Sequence, residues 1–233
     1  MSQIYYISKT DILDKNILIN HIYSNHELNY YYSDDFSLEF YILLARAGFI
    51  SVSLTENNQE YILPNIQVDY AVLQFDNLHI SKKVKKLLNK PELYSFSINN
   101  SLKEVLDGID NYHNDNWIVG KYRELIENLY NQDFGDEFKI MCFELRCNST
   151  GKLIAGEVGY KIGSTYTSLS GFSTKAKEYN NWGKLQMILL SNYLENNSYS
   201  FWNLGQSFMQ YKLDLGAKVL PRLEFLSLFL KNI

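Results

Sequence analysis

Apolar residues recur along this chain with two periods, and the elements follow from where each period starts and stops. Leu38, Tyr41, Ile42 and Ala45 mark one helical face. Ser37, after Asp34-Asp35, can cap that helix through its hydroxyl, and Gly48 can end it in the left-handed conformation. Residues 50–54 alternate as a short strand, and the polar run 55–60 reads as a turn or loop. Residues 70–75 are strand-like, Ser81 can cap a short helix over 82–87, and residues 93–98 alternate again. Ser101 and Glu104 form an S-x-x-E capping box ahead of Leu102, Val105 and Leu106. A further helix over 119–130 carries Tyr122, Leu125, Ile126 and Leu129 on one side. Three consecutive strands are expected over 138–147, 153–162 and 165–172, with polar or Gly turns between them. After Asn180 comes a helix with Leu185, Ile188, Leu189 and Tyr193 on one face. A strand over 200–204 and a helix over 207–215, stopping at Gly216, follow it. Pro221 suits the first position of a last helix.

This order is α+β, with a central antiparallel meander followed by helix, strand and helix. Residues 1–65 read as a small N-terminal domain and residues 66–233 as a larger one, packed together without a long linker. A chain of 233 residues can bury a substantial core. With 46% hydrophobic, 15% aromatic and 21% charged residues, neither disorder nor low complexity is its main state. The start at Met1 lacks a basic segment followed by a long apolar one, so no signal peptide is expected. The most apolar runs, 41–50 and 223–230, fall short of the roughly 20 residues a membrane helix needs and carry Arg46 and Glu224. A cytoplasmic protein without a membrane partner is the expectation.

Several kinds of chemistry drop out. Cys142 and Cys147 cannot build a disulfide scaffold or a four-Cys zinc site and read as reduced thiols. His21, His26, His79 and His113 show no metal-ligand spacing, so no metal is expected. Neither a G-x-S-x-G elbow nor a G-x-x-x-x-G-K-[ST] loop is present. The net charge of -4 argues against a protein coated in nucleic acid, yet Lys82, Lys83, Lys85 and Lys86 form a local basic cluster. On a helix with Val84 and Leu87 buried, that cluster is either a solvated face or a phosphate-contacting one. Trp182-Gly183-Lys184 begins a helix and reads either as a plain helix start or as a pyrophosphate turn. Gln206 ends a strand just ahead of a helix, where an amide can donate to one group and accept from another.

Leu215-Gly216-Ala217 followed by Pro221-Arg222, beginning nine residues after Gln206, resembles the C-terminal signature of leucyl/phenylalanyl-tRNA–protein transferases. There a strand ending in I-D-C-Q leads to S-L-G-A and I-P-R. Leu78-His79-Ile80-Ser81 is similar to that family's L-H-I-S, and Asn116-Trp117-Ile118 to its T-W-I. Residues 153–159 resemble L-V-G-G-x-Y-G, and residues 168–173 resemble G-E-S-M-F-S. Near the start, Asp35-Phe36-Ser37-Leu38-Glu39 and Arg46-Ala47-Gly48 resemble D-L-S-P-E and R-R-G-I-F.

The resemblance implies a small N-terminal domain and an N-acetyltransferase-like domain with a mixed, mainly antiparallel sheet. It implies transfer of an amino acid, Leu or Phe in the family, from aminoacyl-tRNA to a protein or peptide N-terminus that begins with Arg or Lys, without a cofactor. It places Gln206 at the catalytic centre, with Asn203 as its nearest polar neighbour, because the family's acidic position two residues earlier holds Leu204. Substrate-pocket positions fall on Glu157, Leu169, Ser170, Gly171, Val52 and Trp117. Glu157, at an apolar family position, either meets a cationic group or points to solvent. His79, Lys82, Lys83, Lys85 and Lys86 are the expected tRNA contacts. Two other readings stay open: an acyl-coenzyme-A N-acyltransferase using the Trp182-Gly183 turn, and a non-catalytic binding module.

Overall fold

A computed structural model describes residues 4–233; Met1–Gln3, part of the stretch read above for a leader, lie outside the described residues. The N-terminal unit holds β1 (Tyr5–Tyr6), α1 (Lys9–Leu13), α2 (Lys15–Ile17), a π-helical turn (Leu18–Tyr23), β2 (Tyr31–Tyr32), α3 (Leu38–Arg46), β3 (Ile50–Glu56) and β4 (Gln59–Asn65). The remainder runs β5 (Asp69–Leu73), α4 (Lys82–Leu88), β6 (Tyr94–Ile98), α5 (Leu102–Tyr112), α6 (Gly120–Asn131), β7 (Lys139–Cys147), β8 (Leu153–Ile162) and β9 (Thr165–Ser173). It closes with α7 (Trp182–Asn196), β10 (Phe201–Gln206), α8 (Gln210–Asp214), β11 (Lys218–Pro221) and α9 (Arg222–Phe229). The fold is therefore mixed α+β, as expected. We propose the domain boundary between β4, which pairs with β3 and bridges to Tyr30 and Ser33 on either side of β2, and β5, which joins the main sheet.

That sheet has seven strands in the order β11-β5-β10-β9-β8-β7-β6. All neighbours are antiparallel except β9 and β10. Strand alternation divides the core into two layers. Tyr70, Val72, Ile140, Cys142, Val158 and Tyr160 face the N-terminal unit, α5, α6 and α9. Ala71, Leu73, Met141, Phe143, Leu145 and Trp202 face α4 and α7. Because the first layer joins Ile7, Phe40 and Leu44 to Phe225 and Phe229, the N-terminal unit shares its core with the last helix.

Several local expectations change. Of the two readings of residues 55–60 the structure has the turn, and it is tight. Asn57 and Asn58, at φ 50 and 61, make a two-residue hairpin turn, and β3 and β4 pair from Ile50–Asn65 through Glu56–Gln59. Asn tolerates this conformation well, which the polar run concealed. Gly48 is left-handed as expected, and Ser37 Oγ accepts from Phe40 N. The Ser101 capping box does not form; Glu144 on β7 accepts from Asn100 N at 3.0 Å and Ser101 N at 2.9 Å instead. A carboxylate at a helix N-terminus replaces the local hydroxyl, while Glu104 pairs with Arg146 at 2.9 Å. On α7 the buried face is Trp182, Leu185, Gln186, Ile188, Leu190, Ser191 and Leu194, so Leu189 and Tyr193 stand half-buried beside it. The helix after Gln206 shortens to α8, and Pro221 ends the edge strand β11 before capping α9.

Candidate active site

The parallel pair within the seven-stranded sheet opens it. β9 and β10 pair at Thr165–Phe201, Tyr166–Trp202 and Thr167–Asn203, and the ladder stops there. Beyond it, residues 168–173 of β9 and Leu204-Gly205-Gln206 of β10 diverge, helped by bulges at Val158/Gly159 and Asn203/Gly205. A cavity of about 570 Å³ fills the split. Such a split between strands, roofed by helices, is a common place for a ligand.

The structure brings most of the expected site residues to this cavity. Gln206, Glu157, Leu169, Ser170, Gly171, Val52 and Trp117 all line it. Asn203 does not. It is buried, its Nδ2 donates to Thr167 Oγ1 at 3.3 Å, and its Oδ1 accepts from Gly205 N at 3.0 Å. It secures the bulge just ahead of Gln206 and is buried away from the cavity. Glu157 does not point to solvent either. It is buried, and its Oε1 accepts from Ser168 Oγ at 2.5 Å and from Tyr166 OH at 3.2 Å.

Two lining residues escaped the sequence reading. Lys212 on α8 is buried; its Nζ donates to Leu204 O at 2.5 Å and to Gln206 O at 2.8 Å. It therefore fixes the end of the strand that carries Gln206. Gln186 on α7 is also buried, and its Nε2 finds no hydrogen-bond partner among the described residues. A buried orphan amide beside a cavity is costly and marks a place where a ligand's polar atom would be welcome. The only sequence signal for Gln186 was its place one residue after the buried Leu185.

The basic cluster lies beside the cavity rather than in it. Ser81 Oγ caps α4 by accepting from Val84 N, Val84 is buried, and Lys82, Lys83, Lys85 and Lys86 are exposed. His79 ties the segment before α4 to α8: its N donates to Leu215 O at 2.8 Å, and its Nδ1 lies 3.1 Å from Asp214 O. α4 packs on α7, whose Gly183, Lys184, Gln186 and Met187 line the cavity.

Two motif glycines have packing reasons. A Cβ on Gly216, at φ +108, would stand 1.9 Å from Asn77 O. Gly216→Ala should therefore cost about 2–5 kcal/mol by combined backbone strain and overpacking. Urea unfolding followed by circular dichroism reads this as a lowered midpoint; an unchanged midpoint would mean that close packing against residues 77–79 is dispensable. A Cβ on Gly183 would meet Ser173 Oγ at 2.7 Å, so this glycine lets the start of α7 close on β9.

Family comparison decides the rest. The family model for leucyl/phenylalanyl-tRNA protein transferase matches residues 72–230, well over half of the chain. The chain belongs to this family. A leucyl/phenylalanyl-tRNA–protein transferase of Flavobacterium johnsoniae is 27% identical over 161 residues, covering 67% of this chain and 70% of the relative. One of Pseudoalteromonas translucida is 27% identical over 159 residues, covering 67% of this chain and 61% of the relative. Among solved structures, the C-terminal domain of a putative lysylphosphatidylglycerol synthetase from Agrobacterium fabrum aligns at 15% identity and TM-score 0.46, covering 77% of this chain and 61% of that one. A GCN5-related N-acetyltransferase from Kribbella flavida aligns at 12% identity and TM-score 0.38, covering 66% and 53%. Among the described residues no cluster of three His, Cys, Asp or Glu side chains could hold a metal ion. None of their helices is long and apolar enough to cross a membrane.

Proposed function

We propose that this family member moves an amino acid from the 3′ end of an aminoacyl-tRNA to the N-terminal amine of a peptide or protein in the cytoplasm. The observation that carries this reading is Gln206, at the open end of β10, standing in the cavity where β9 and β10 part. The donor ester is already activated. The acceptor is an α-amine with a pKa near 7.7–8.0, so roughly a tenth or more is neutral at pH 7. Holding the two together in line supplies much of the rate. Gln206 has no useful proton affinity; its amide orients the amine or donates to the ester carbonyl as charge develops.

Leu169, Ser170, Gly171, Val52 and Trp117 form the walls around the aminoacyl group. Lys82, Lys83, Lys85 and Lys86, with His79, would follow the tRNA backbone along α4. An acceptor beginning with Arg or Lys is the family expectation, and we carry it here as part of the proposal.

A thermal-shift comparison tests the donor. A 3′-aminoacylamino-adenosine, whose amide cannot be transferred, should stabilise the protein by about 2.7 kcal/mol at a hundred times its dissociation constant. For a chain of this length that is a rise of roughly 5–10 °C. Coenzyme A should give no shift. The reverse pattern would move the assignment to an acyl-coenzyme-A donor.

A further inference from the structure

Two ionisable side chains that line the cavity are almost fully buried, Glu157 at 7% and Lys212 at 5% exposure. Neither is a normal tenant of an apolar pocket, because a buried charge without a complete set of partners is expensive. The hydrogen bonds around Glu157 are one-sided. Trp202 Nε1, on β10, donates to Ser168 Oγ at 2.7 Å, and Ser168 Oγ donates to Glu157 Oε1. With Tyr166 OH on the same oxygen, Oε1 is fully occupied. Oε2 accepts no hydrogen bond from the described residues. Lys212 is similar: Leu204 O and Gln206 O take two of its N–H groups and leave the third for the cavity. Among the described residues no carboxylate lies within ion-pair distance of Lys212, yet the two charges influence each other. Each side chain is thus anchored by one part and open by another, in the cavity that Gln206 borders.

We propose that Glu157 and Lys212 are the proton-transfer pair of this site: Glu157 Oε2 takes the proton of the attacking amine, and Lys212 Nζ gives one to the leaving ribose oxygen. This rests on the transferase reading above. The neutral α-amine uses its lone pair to form the C–N bond, and the carbonyl π pair moves to oxygen. Glu157 removes one proton from the nitrogen. Collapse re-forms the C=O and breaks the ester C–O bond, whose electron pair leaves with the ribose 3′ oxygen. Lys212 supplies that oxygen's proton. Glu157 is then a carboxylic acid and Lys212 a neutral amine, and passage of one proton between them through solvent restores both. Amine and ester have become amide and alcohol, with no net proton and no further reactant.

The electrostatics suit the task. Burial pushes the Glu157 carboxyl up to about 7, against the pull of Ser168, Tyr166 and Lys212. Burial pushes the Lys212 ammonium down to about 8. Both groups exchange protons near neutral pH, where general acid–base catalysis is most effective. Tyr166 on β9 and Tyr211 on α8 also feel Glu157, and burial holds both phenols protonated in this range. Phe143 faces Glu157 from β7, and Tyr112, His113, Asp115 and Lys184 line the cavity from α5, its following loop and α7.

The test is single-turnover transfer from a saturating aminoacyl-tRNA to one fixed peptide, followed against pH for the full chain and for Glu157→Gln. The wild-type rate should rise through an inflection near 7. Glu157→Gln should be slowed about 100-fold, with little change in the half-saturating peptide concentration, and should lose that inflection. Because a buried carboxylate opposes folding increasingly as pH rises from 4.5 through 7, the variant should also melt higher than wild type at pH 8 and equally at pH 4. Infrared titration of the wild type should show a protonated carboxyl band that disappears near pH 7. Transfer by Glu157→Gln at the wild-type rate, with the inflection kept, overturns the pair, and so does a wild-type band that is already gone by pH 5. Failure of the wild type to transfer from any aminoacyl-tRNA overturns the transferase reading itself, a distinct result.

Discussion

Arg222→Met should lower the stability of the protein by about 5 kcal/mol or more, the largest effect expected from any single substitution here. The guanidinium is 0% exposed. Its Nε donates to Gln67 O at 2.9 Å, and its Nη2 donates to Ile66 O at 2.9 Å and Leu28 O at 3.2 Å. Nη1 donates to Ile22 O at 3.2 Å, Tyr23 O at 3.5 Å and Asn25 O. Among the described residues it has no carboxylate partner; it is held by carbonyl dipoles alone. Of these carbonyls Ile22 O also accepts from the backbone N–H groups of Ser24 and Asn25. A methionine would fill the space and leave most of the others unpaired, each at a cost of about 1–3 kcal/mol. The sum approaches the whole stability of an ordinary domain. Arg222→Lys keeps the charge but loses the planar fork and should fall between the two. Guanidinium unfolding followed by tryptophan fluorescence reads this directly, and a midpoint for Arg222→Met equal to wild type would contradict it. Arg222 in the family-like Pro-Arg pair is thus a strut between residues 22–28, 66–67 and α9. It is no part of the site.

The second large effect concerns tRNA. Changing Lys82, Lys83, Lys85 and Lys86 together to Glu reverses four charges on the exposed face of α4 and leaves the buried Val84 in place. Binding of uncharged tRNA should fall by about 10³-fold or more near physiological salt. The slope of log affinity against log salt should shrink by about 3, close to one for each phosphate that is no longer neutralised. Transfer from a small aminoacyl-adenosine donor, which does not reach α4, should be unchanged in the same variant. Fluorescence anisotropy across a salt series measures the first effect, and peptide mass the second. Affinity that survives the reversal would place the tRNA on another surface.

The strands and helices with strong local signals were legible: β7 and β8 are near-continuous buried runs set off from each other and from β9 by polar or Gly turns, and α5 and α6 bury the faces their spacing marks. What escaped was decided at a distance. Glu144 caps α5 from 43 positions away in the chain, so the local S-x-x-E pattern misled. β11 is four residues on a sheet edge and has too little alternation to announce itself. The positions of Gln206, Glu157 and Leu169 came from the order of family-like segments. Lys212 could not be found that way. In Tyr211-Lys212-Leu213 it looks like a surface lysine, and only the carbonyls at the end of β10 draw it inside. Asn203 read as an available polar neighbour because the sequence does not reveal the bulge that turns it inward.

The most direct test of the account is a transfer assay. The protein is mixed with a fully charged tRNA pool and peptides differing only in their first residue, and the peptides are weighed by mass spectrometry. The account predicts a gain of one amino-acid residue at the peptide N-terminus. That gain should vanish with ribonuclease and fall about 100-fold in Gln206→Ala, the range seen when one donor to a developing oxyanion is removed. The added mass names the amino acid. No gain on any peptide, in a tube where the Flavobacterium johnsoniae relative transfers, would contradict it.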